Sequence, residues 1–350
     1  MTPTTLPQTT GVVTVGVDTH CDLHVAAVLD HRGGLLAIES FPTSALGNRQ
    51  LELWACSFGD PAVFGVEGTG AYGAGLTRHL LAQGHRVVEV DRPNRHSRRR
   101  HGKSDPLDAE AAARAALAGT ASGTPKHRTG AVEAIRSLRV ARRSAVKART
   151  EAITQLHGLV VAAPDEVRDR LRGLKARALV RNCARLRPLT PTTPCEAARW
   201  ALKSVAQRCQ GLEAEIGALD AQLEPLVRSA FPDLLALNGV GVDVAGQLVV
   251  TAGDNPDRLR SEACFAKLCG VAPIPVSSGR TDRFRLSRGG DRQANAALYR
   301  VVLSRLRWDP RTAAYLQRRT TEGRTKREII RCLKRSVARE VFPLLQKCGA

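Results

Sequence analysis

Residues 12–18 read VVTVGVD, a run of β-branched residues that ends on an acid. Because β-branched side chains fit the pleated, half-buried surface of a sheet, this run predicts a strand with Asp18 at its end. Two more extended segments follow, VAAVLD at 25–30 and GLLAIESF at 34–41, and the HRGG between them is typical of a hairpin turn. The domain is therefore predicted to begin with three mostly antiparallel strands.

The next segments add parallel-type units to this sheet. AVFGVEGTG predicts a fourth strand that carries Glu67 into a glycine-rich turn, and the helix after it ends at Gly84. HRVVEVD predicts a fifth strand. DPLDAEAAARAALAG predicts a helix with Ser104 or Asp105 as N-cap and Gly119 as its stop. These elements indicate an α/β domain over roughly residues 10 to 122.

The rest of the chain predicts helices. Two long, charged and helically periodic segments flank the linker RPLTPTTPC, which favours an antiparallel helical hairpin or coiled coil. Such an arm is either a spacer or a dimerisation arm or RNA clamp. Beyond it, LLALNGVGVDVAGQLVV resembles a helix-hairpin-helix, whose glycines let backbone N–H groups approach a phosphate. The fold class is thus α/β plus α, with an N-terminal domain over 1–124, a helical arm over 125–230 and a mainly helical C-terminal domain over 231–350.

Charge points to a nucleic-acid partner. The 350 residues include 53 Lys and Arg against 33 Asp and Glu, a net charge of +20, and arginine greatly outnumbers lysine. A GC-rich genome would explain the preference for arginine but not the excess of positive charge. The start of the chain lacks a signal-peptide pattern, no run of about 18 apolar residues occurs, and the nine cysteines show no zinc spacing. We therefore expect a cytoplasmic bacterial protein without a membrane partner, associated with the nucleoid.

Four acids could form one metal site. Asp18 and Glu67 end predicted strands, and Asp105 and Asp108 share one face of a helix because residues i and i+3 are neighbours. If the two strands are adjacent and the helix starts at the same sheet edge, all four carboxylates meet, and they need cations to stay ionised together. Oxygen ligands suit Mg²⁺ or Mn²⁺, which can activate the attacking oxygen in phosphodiester cleavage.

Each acid alone has a simpler explanation, such as a strand-end turn or a helix cap. Their order along the chain is more specific, because it matches that of a ribonuclease-H-like nuclease of the RuvC type. Two basic stretches could draw a nucleic-acid backbone towards such a site. The first consists of Arg95, Arg98, Arg99, Arg100 and Lys103, and the second of Arg280, Arg283, Arg285 and Arg288.

Four motifs together resemble one family. GVDTH, GVEGTGAYG, KSDPLDAEAAA and the C-terminal CGVAPIPVSSG…RLSRGGDRQANAALYR occur in the order found in the DEDD-type insertion-sequence transposases of the IS110 family, relatives of the Piv DNA invertase. The resemblance runs from about residue 12 to residue 345. It implies that Asp18, Glu67, Asp105 and Asp108 are the catalytic, metal-binding tetrad.

The resemblance also implies a serine nucleophile and an RNA guide. Ser278 before Gly279 matches the family's serine, with Ser277 adjacent, and this serine would form a covalent phosphoserine intermediate with DNA. The metal-bearing domain of one subunit would work with the serine domain of another in a dimer or tetramer. A bridge RNA would pair with donor and target DNA. The helical arm resembles the family's coiled-coil dimerisation region.

Two other functions remain open at this stage. A RuvC-like Holliday-junction-type endonuclease would hydrolyse DNA without a serine intermediate and would not need Ser278. A non-catalytic nucleic-acid-binding protein descended from a transposase would need neither the acids nor the serine. The presence of the four acids and the serine argues against the last of these.

Overall fold

The structure is a computed structural model and describes residues 11–90, 104–255, 258–280, 284–285, 287 and 289–347. The chain forms two compact units. The first combines the residues up to 130 with 252–264, and the second combines 131–251 with the residues from 265 onwards. The three-domain division expected from the sequence remains a prediction.

The first unit is built on a five-stranded sheet. Its strands are β1 Val12–Thr19, β2 Leu23–Leu29, β3 Leu35–Pro42, β4 Asp60–Glu67 and β5 Val87–Val90. They lie in the order β3-β2-β1-β4-β5. Strand β2 is antiparallel to both β1 and β3, whereas β4 is parallel to both β1 and β5. This confirms the mixed α/β domain that the sequence predicts.

Three helices accompany the sheet, namely α1 Ala45–Cys56, α2 Ala74–Ala82 and α3 Asp105–Leu117. The sequence predicts α2 and α3, including the cap at Ser104, but not α1. Helix α1 begins at Ser44, whose side chain accepts a hydrogen bond from the Gly47 backbone N–H, and it buries Leu51 and Ala55. Together with β1 and β4, this helix encloses an apolar core.

Helix α3 packs unusually close to the other face of the sheet. Gly16 of β1 and Gly65 of β4 are neighbours in the parallel register. A Cβ atom at Gly16 would lie 2.1 Å from the backbone N of Ala113, and one at Gly65 would lie 2.8 Å from the Cβ of Ala116. Glycine in the strands and alanine in the helix therefore let the two backbones approach. This contact fixes the start of α3 at one sheet edge.

The second unit is mainly helical, as expected. Its helices are α4 Gly130–Ala162, α5 Asp165–Leu171, α6 Ala176–Ala184, α7 Pro194–Ala230, α8 Pro232–Leu235, α9 Val242–Ala252, α10 Glu262–Leu268, α11 Arg292–Trp308, α12 Pro310–Thr321 and α13 Lys326–Lys347. The bounds of α4 and α9 each reach one residue into the first unit, and those of α10 reach three. A two-stranded ribbon, β6 Ile274–Pro275 and β7 Phe284–Arg285, completes this part.

Helices α4 and α7 run antiparallel to each other. Arg142 of α4 forms an ion pair with Asp220 of α7. About two turns further along α4, Arg149 pairs with Glu213, which lies about two turns before Asp220 on α7. Buried residues on α7 recur at every seventh position. These are Leu202, Cys209, Ile216 and Leu223. The hairpin expected from the sequence is thus present, although α5 and α6 at its tip were not predicted.

The GVG segment also forms a turn between helices. Gly239, with φ of +79°, separates α8 from α9, and a Cβ atom there would lie 3.2 Å from the carbonyl oxygen of Val301. The eight cysteines of the described residues are free thiols. No helix among the residues that the structure describes has both the length and the apolar character needed to cross a membrane.

Candidate metal centre

Two of the predicted acids lie at the carboxyl ends of neighbouring strands, at the same sheet edge. Val17 of β1 and Val66 of β4 are partners in the parallel register, and Asp18 and Glu67 come directly after them. The hydroxyl of Thr19 donates a hydrogen bond to the carbonyl oxygen of Glu67, at 2.8 Å. The strands that the sequence argument requires to be adjacent are therefore adjacent, and both acids lie at their carboxyl ends.

Helix α3 adds a third acid to this edge. The Nε2 atom of His20 lies 3.1 Å from Oδ2 of Asp18 and 3.4 Å from Oδ1 of Asp105. One ligand atom from each of these three residues lies within 4.8 Å of the others. The side chain of Asp18 is only 8% exposed, whereas that of Asp105 is half exposed. The group thus joins a buried strand acid to an accessible helix acid.

The electrostatics of this edge favour a bound cation. Burial raises the pKa of Asp18, the charges of Asp108 and Asp105 raise it further, and the hydrogen bond and charge of His20 act in the opposite direction. Asp108 is itself buried. The buried carboxylate of Asp18 is therefore repelled by two other carboxylates, and a divalent cation would relieve this repulsion.

The donor set fits a divalent cation. Asp18, Asp105 and His20 could ligate it directly, and carboxylate oxygens with one imidazole suit Mn²⁺ as well as Mg²⁺. Glu67 and Asp108 are not members of the group whose ligand atoms lie within 4.8 Å of one another. Glu67 nevertheless ends the adjacent strand, and the charge of Asp108 raises the pKa of Asp18. Their roles as ligands remain predictions.

His20 is the residue that the sequence argument missed. It lies two positions after Asp18, in the segment GVDTH. A lone histidine after a strand is usually a turn residue, so nothing in its type marks it as a ligand. The useful signal is its position, because a residue just past the strand end can turn back over the acid that ends the strand.

The predicted serine lies in the second unit and is exposed. Ser278 precedes Gly279, whose φ of +56° is in the left-handed region that favours glycine. Ser277 is also exposed. Because the four acids belong to the first unit, the partnership between serine and metal centre stays a prediction.

The predicted arginine stretches are described only in part. Arg280 is exposed, and Arg285 is exposed in β7, where it pairs with Ile274. The remaining members lie outside the described residues, namely Arg95, Arg98, Arg99, Arg100, Lys103, Arg283 and Arg288.

The segment CGVAP packs closely against the segment RGGDRQAN. A Cβ atom at Gly270 would lie 2.6 Å from the carbonyl oxygen of Gly289, and one at Gly290 would lie 2.5 Å from that of Leu268. Asn295 donates hydrogen bonds from Nδ2 to the carbonyl oxygens of Cys269, at 2.9 Å, and Gly270, at 3.1 Å. Glycine is therefore needed at positions 270 and 290, because a side chain there would overlap the backbone of the facing segment.

Most cations of α4 are engaged within the protein. Arg139, Arg142 and Arg300 surround the carboxylate of Asp243. Burial alone would raise the pKa of Asp243, but these three guanidinium groups outweigh it and hold the pKa below its usual range. This pairing weakens the interpretation of α4 as an RNA clamp.

Fold and site together define an α/β protein with a carboxylate-rich candidate metal centre at the carboxyl ends of its central strands. Two family models match this chain. One, a transposase model of the DEDD type of IS110, matches residues 15–163, and the other, a transposase model of the IS116/IS110/IS902 family, matches residues 233–317. The chain belongs to the IS110 family of transposases.

Two insertion-element proteins are similar to this chain in sequence. The IS110 uncharacterized 43.6 kDa protein of Streptomyces coelicolor is 32% identical over 146 residues, which are 41% of this chain and 35% of the relative. The IS900 uncharacterized 42 kDa protein of Mycobacterium paratuberculosis is 28% identical over 145 residues, 41% of this chain and 36% of the relative. The matched segment thus spans about a third of each relative's length.

Proposed function

We propose that the protein is a DNA transposase that cleaves and exchanges strands with the help of Mg²⁺ or Mn²⁺. The observation that carries this proposal is the meeting of Asp18, His20 and Asp105 at one sheet edge, in a chain of the IS110 family. The net charge of +20 supports nucleic acid as the substrate. Donor and target DNA would be the substrates, at the bacterial nucleoid.

The fold of the first unit supports this chemistry. The order β3-β2-β1-β4-β5, with three antiparallel strands followed by two parallel ones, supports a ribonuclease-H-like domain of the RuvC type. In such a sheet the first and fourth strands end side by side. Asp18 and Glu67 would hold the cation from these strands, and Asp105 and Asp108 would hold it from α3.

The bound cation would polarise the scissile phosphate and stabilise the oxygen that leaves it. The residues of the chain supply the rest. Asp18 is buried and would position the cation at the sheet edge, while the half-exposed Asp105 would be accessible to DNA. His20, between the two, would keep their carboxylates oriented or join them as a ligand.

A serine intermediate completes the proposed reaction. The Oγ atom of Ser278 would lose its proton and form an ester bond to phosphorus, while the bond from that phosphorus to a deoxyribose oxygen breaks and this oxygen takes up a proton. The exposure of Ser278 and the left-handed Gly279 beside it are compatible with close approach of DNA. Arg280 could neutralise the attacked phosphate.

The proposal also includes how subunits associate and how an RNA selects the DNA sites. The heptad spacing of buried residues on α7, packed antiparallel to α4, supports a coiled-coil arm through which subunits could associate. The metal centre of one subunit would then work with the Ser278 of another in a dimer or tetramer. A bridge RNA would supply sequence specificity, for which the surplus of positive charge offers binding capacity.

Strand exchange between donor and target plasmids, with the element's flanking DNA and RNA supplied, tests the metal centre. Asp18→Asn and Asp105→Asn should each abolish exchange, because neutral amides cannot hold a divalent cation against water, and excess chelator should abolish it for the wild type. Asp60→Asn is the matched control, because this exposed acid begins β4 at the opposite edge. Full exchange by the Asp18 variant would refute the assignment.

Ser278→Ala separates the transposase from a plain nuclease. A serine recombinase should lose exchange and should yield no protein–DNA adduct. A metal-dependent junction nuclease should retain its cleavage. An adduct mapped to Ser277 would move the nucleophile by one residue and leave the mechanism intact.

A further inference from the structure

The second unit contains a cavity of about 920 Å³, and neither Ser278 nor any of the four acids is among the residues that line it. It is enclosed by the segment at Gly270–Pro273, by β7 and by α12 and α13. Its volume is at the upper end of the range, about 300–1,000 Å³, of pockets that hold drug-sized ligands. A single inorganic ion would leave most of it unfilled.

The walls of this cavity are strongly cationic. One carboxylate, that of Glu328, faces seven cations, namely Arg285, Arg319, Arg324, Arg331, Lys334, Arg335 and Arg339. That carboxylate accepts hydrogen bonds from the backbone N–H and the hydroxyl of Thr325, at 2.9 and 2.8 Å, at the start of α13. Glu328 also interacts with the charges of Arg324 and Arg331, and Arg319 pairs with Glu322. The cations that line the cavity nevertheless outnumber its one carboxylate by seven to one.

Three of the arginines form a line along α13. Arg331, Arg335 and Arg339 are spaced by four residues, so successive guanidinium groups start about 6 Å apart along the helix axis. Within the described part of the chain, Arg331 and Arg339 have no carboxylate partner at ion-pair distance. Burial and the charge of Arg339 lower the pKa of Arg335. A row of like charges in a concave wall favours a ligand with repeated negative charges.

The cavity also presents aromatic rings. Phe284 of β7 is 65% exposed, although a phenylalanine gains most when it is buried, and Tyr315 of α12 lies in the same wall. Tyr315 is half-buried and the guanidinium of Arg318 lies 5.4 Å from its ring centre, so Phe284 is the ring with an exposed face. A cationic groove with an exposed aromatic ring suits single-stranded nucleic acid, because each unpaired base offers a face for stacking. A duplex hides its base faces and would leave the Phe284 ring unused.

We propose that this cavity binds a single-stranded polynucleotide, with phosphates along Arg331, Arg335 and Arg339 and a base stacked on Phe284. The proposal goes beyond the proposed function, because neither the metal centre nor Ser278 takes part in it. DNA and RNA strands share the phosphate and base chemistry that the cavity recognises.

Fluorescence anisotropy with labelled oligonucleotides of about 12 units tests this site in the full-length protein. The probes are oligodeoxyuridylate and oligouridylate, which differ only in the sugar, and a duplex of equal length. Phe284→Ala should weaken the better-bound single strand about 5- to 150-fold, the effect expected for one base–aromatic stack, and should change duplex binding by less than about twofold. Whichever single strand binds more tightly identifies the sugar.

Arginine variants test the phosphate contacts in the same assay. The double variant Arg331→Ala/Arg339→Ala should weaken single-strand binding at least about tenfold and should lower the slope of log affinity against log salt by about 1.4. Arg311→Ala/Arg327→Ala is the matched control, because these exposed arginines lie on α12 and α13 outside the cavity. Equal weakening by both pairs, or equal weakening of single strand and duplex by Phe284→Ala, would overturn the proposal.

Crosslinking tests the site in the wild type, without relying on any variant to fold. An oligonucleotide that carries 5-iodouridine should crosslink on irradiation to the peptide that contains Phe284 or the one that contains Tyr315. Crosslinks confined to peptides outside the cavity would contradict the proposal.

Discussion

At the scale of single residues, His20 is the side chain that links the two grouped acids of the candidate metal centre. Its Nε2 atom lies between the carboxylates of Asp18 and Asp105. The sequence predicts four acids from their order along the chain, and the structure groups two of them, Asp18 and Asp105, with His20. The histidine could not be predicted, because its role depends on how the backbone turns after β1, which no local pattern specifies.

Replacement of His20 by alanine should weaken the metal centre without dismantling it. We expect Mn²⁺ affinity to fall about 10- to 100-fold, because a ligand or an orienting partner of the ligands is lost, and strand exchange to fall with it. Titration of Mn²⁺ followed by electron paramagnetic resonance measures this. His31→Ala is the control, since that exposed histidine lies in the hairpin turn between β2 and β3. Unchanged Mn²⁺ affinity in His20→Ala would exclude it from the site.

At the scale of elements, the glycine–alanine contact between the sheet and α3 brings the acids together. The sequence predicts both strands and the helix, but their close approach emerges only in three dimensions. Helix α1 escaped prediction for a related reason. Its first turn contains Gly47 and Asn48, which are poor helix formers, and Gly47 is needed because a Cβ atom there would lie 1.9 Å from the carbonyl oxygen of Pro42.

The substitution Gly16→Ala should disturb the metal centre from a distance. The new Cβ atom would overlap the backbone of α3, so we expect a loss of stability of at least about 1–3 kcal/mol and weaker Mn²⁺ binding as Asp105 moves away from Asp18. Thermal unfolding and Mn²⁺ titration measure the two effects. Gly75→Ala in α2 is the matched control, because its nearest contact would be 3.7 Å from Asn48. Equal behaviour of the two variants would contradict this account.

The cluster around Asp243 predicts how the second unit responds to acid. Because its folded pKa is lowered, the carboxylate stabilises the fold above its unfolded pKa of about 3.9, and this contribution is lost as the pH falls through the folded value. Asp243→Asn leaves three arginines without their acid and should cost about 1–3 kcal/mol at neutral pH, less than the 3–5 kcal/mol of a fully buried pair.

Urea unfolding at about pH 7 and about pH 2, which lie on either side of the window in which the contribution is lost, measures this effect. The wild type should lose more stability between the two values than Asp243→Asn does. Asp233→Asn in α8 is the control, because that acid is exposed. Equal acid sensitivity of the wild type and the Asp243 variant would contradict the prediction.

At the scale of the whole molecule, two compact units share the proposed work. The first carries the acids at the ends of its strands, and the second carries the serine and the cationic cavity. The sequence predicts this division of chemistry, because the motifs that carry it are local. It could not predict the cavity, because Phe284, Tyr315 and the arginines of α13 come from separate segments whose proximity depends on helix packing.

The central claim is that the acids at the ends of β1 and β4 and at the start of α3 hold a divalent cation. The most direct test is Mn²⁺ binding to the full-length protein, measured by electron paramagnetic resonance, for the wild type, Asp18→Asn, Asp108→Asn and the control Asp60→Asn. We expect the wild type and Asp60→Asn to bind Mn²⁺ with equal affinity, and we expect Asp18→Asn and Asp108→Asn to lose this binding. Equal binding by all four proteins, or no binding by the wild type, would contradict it.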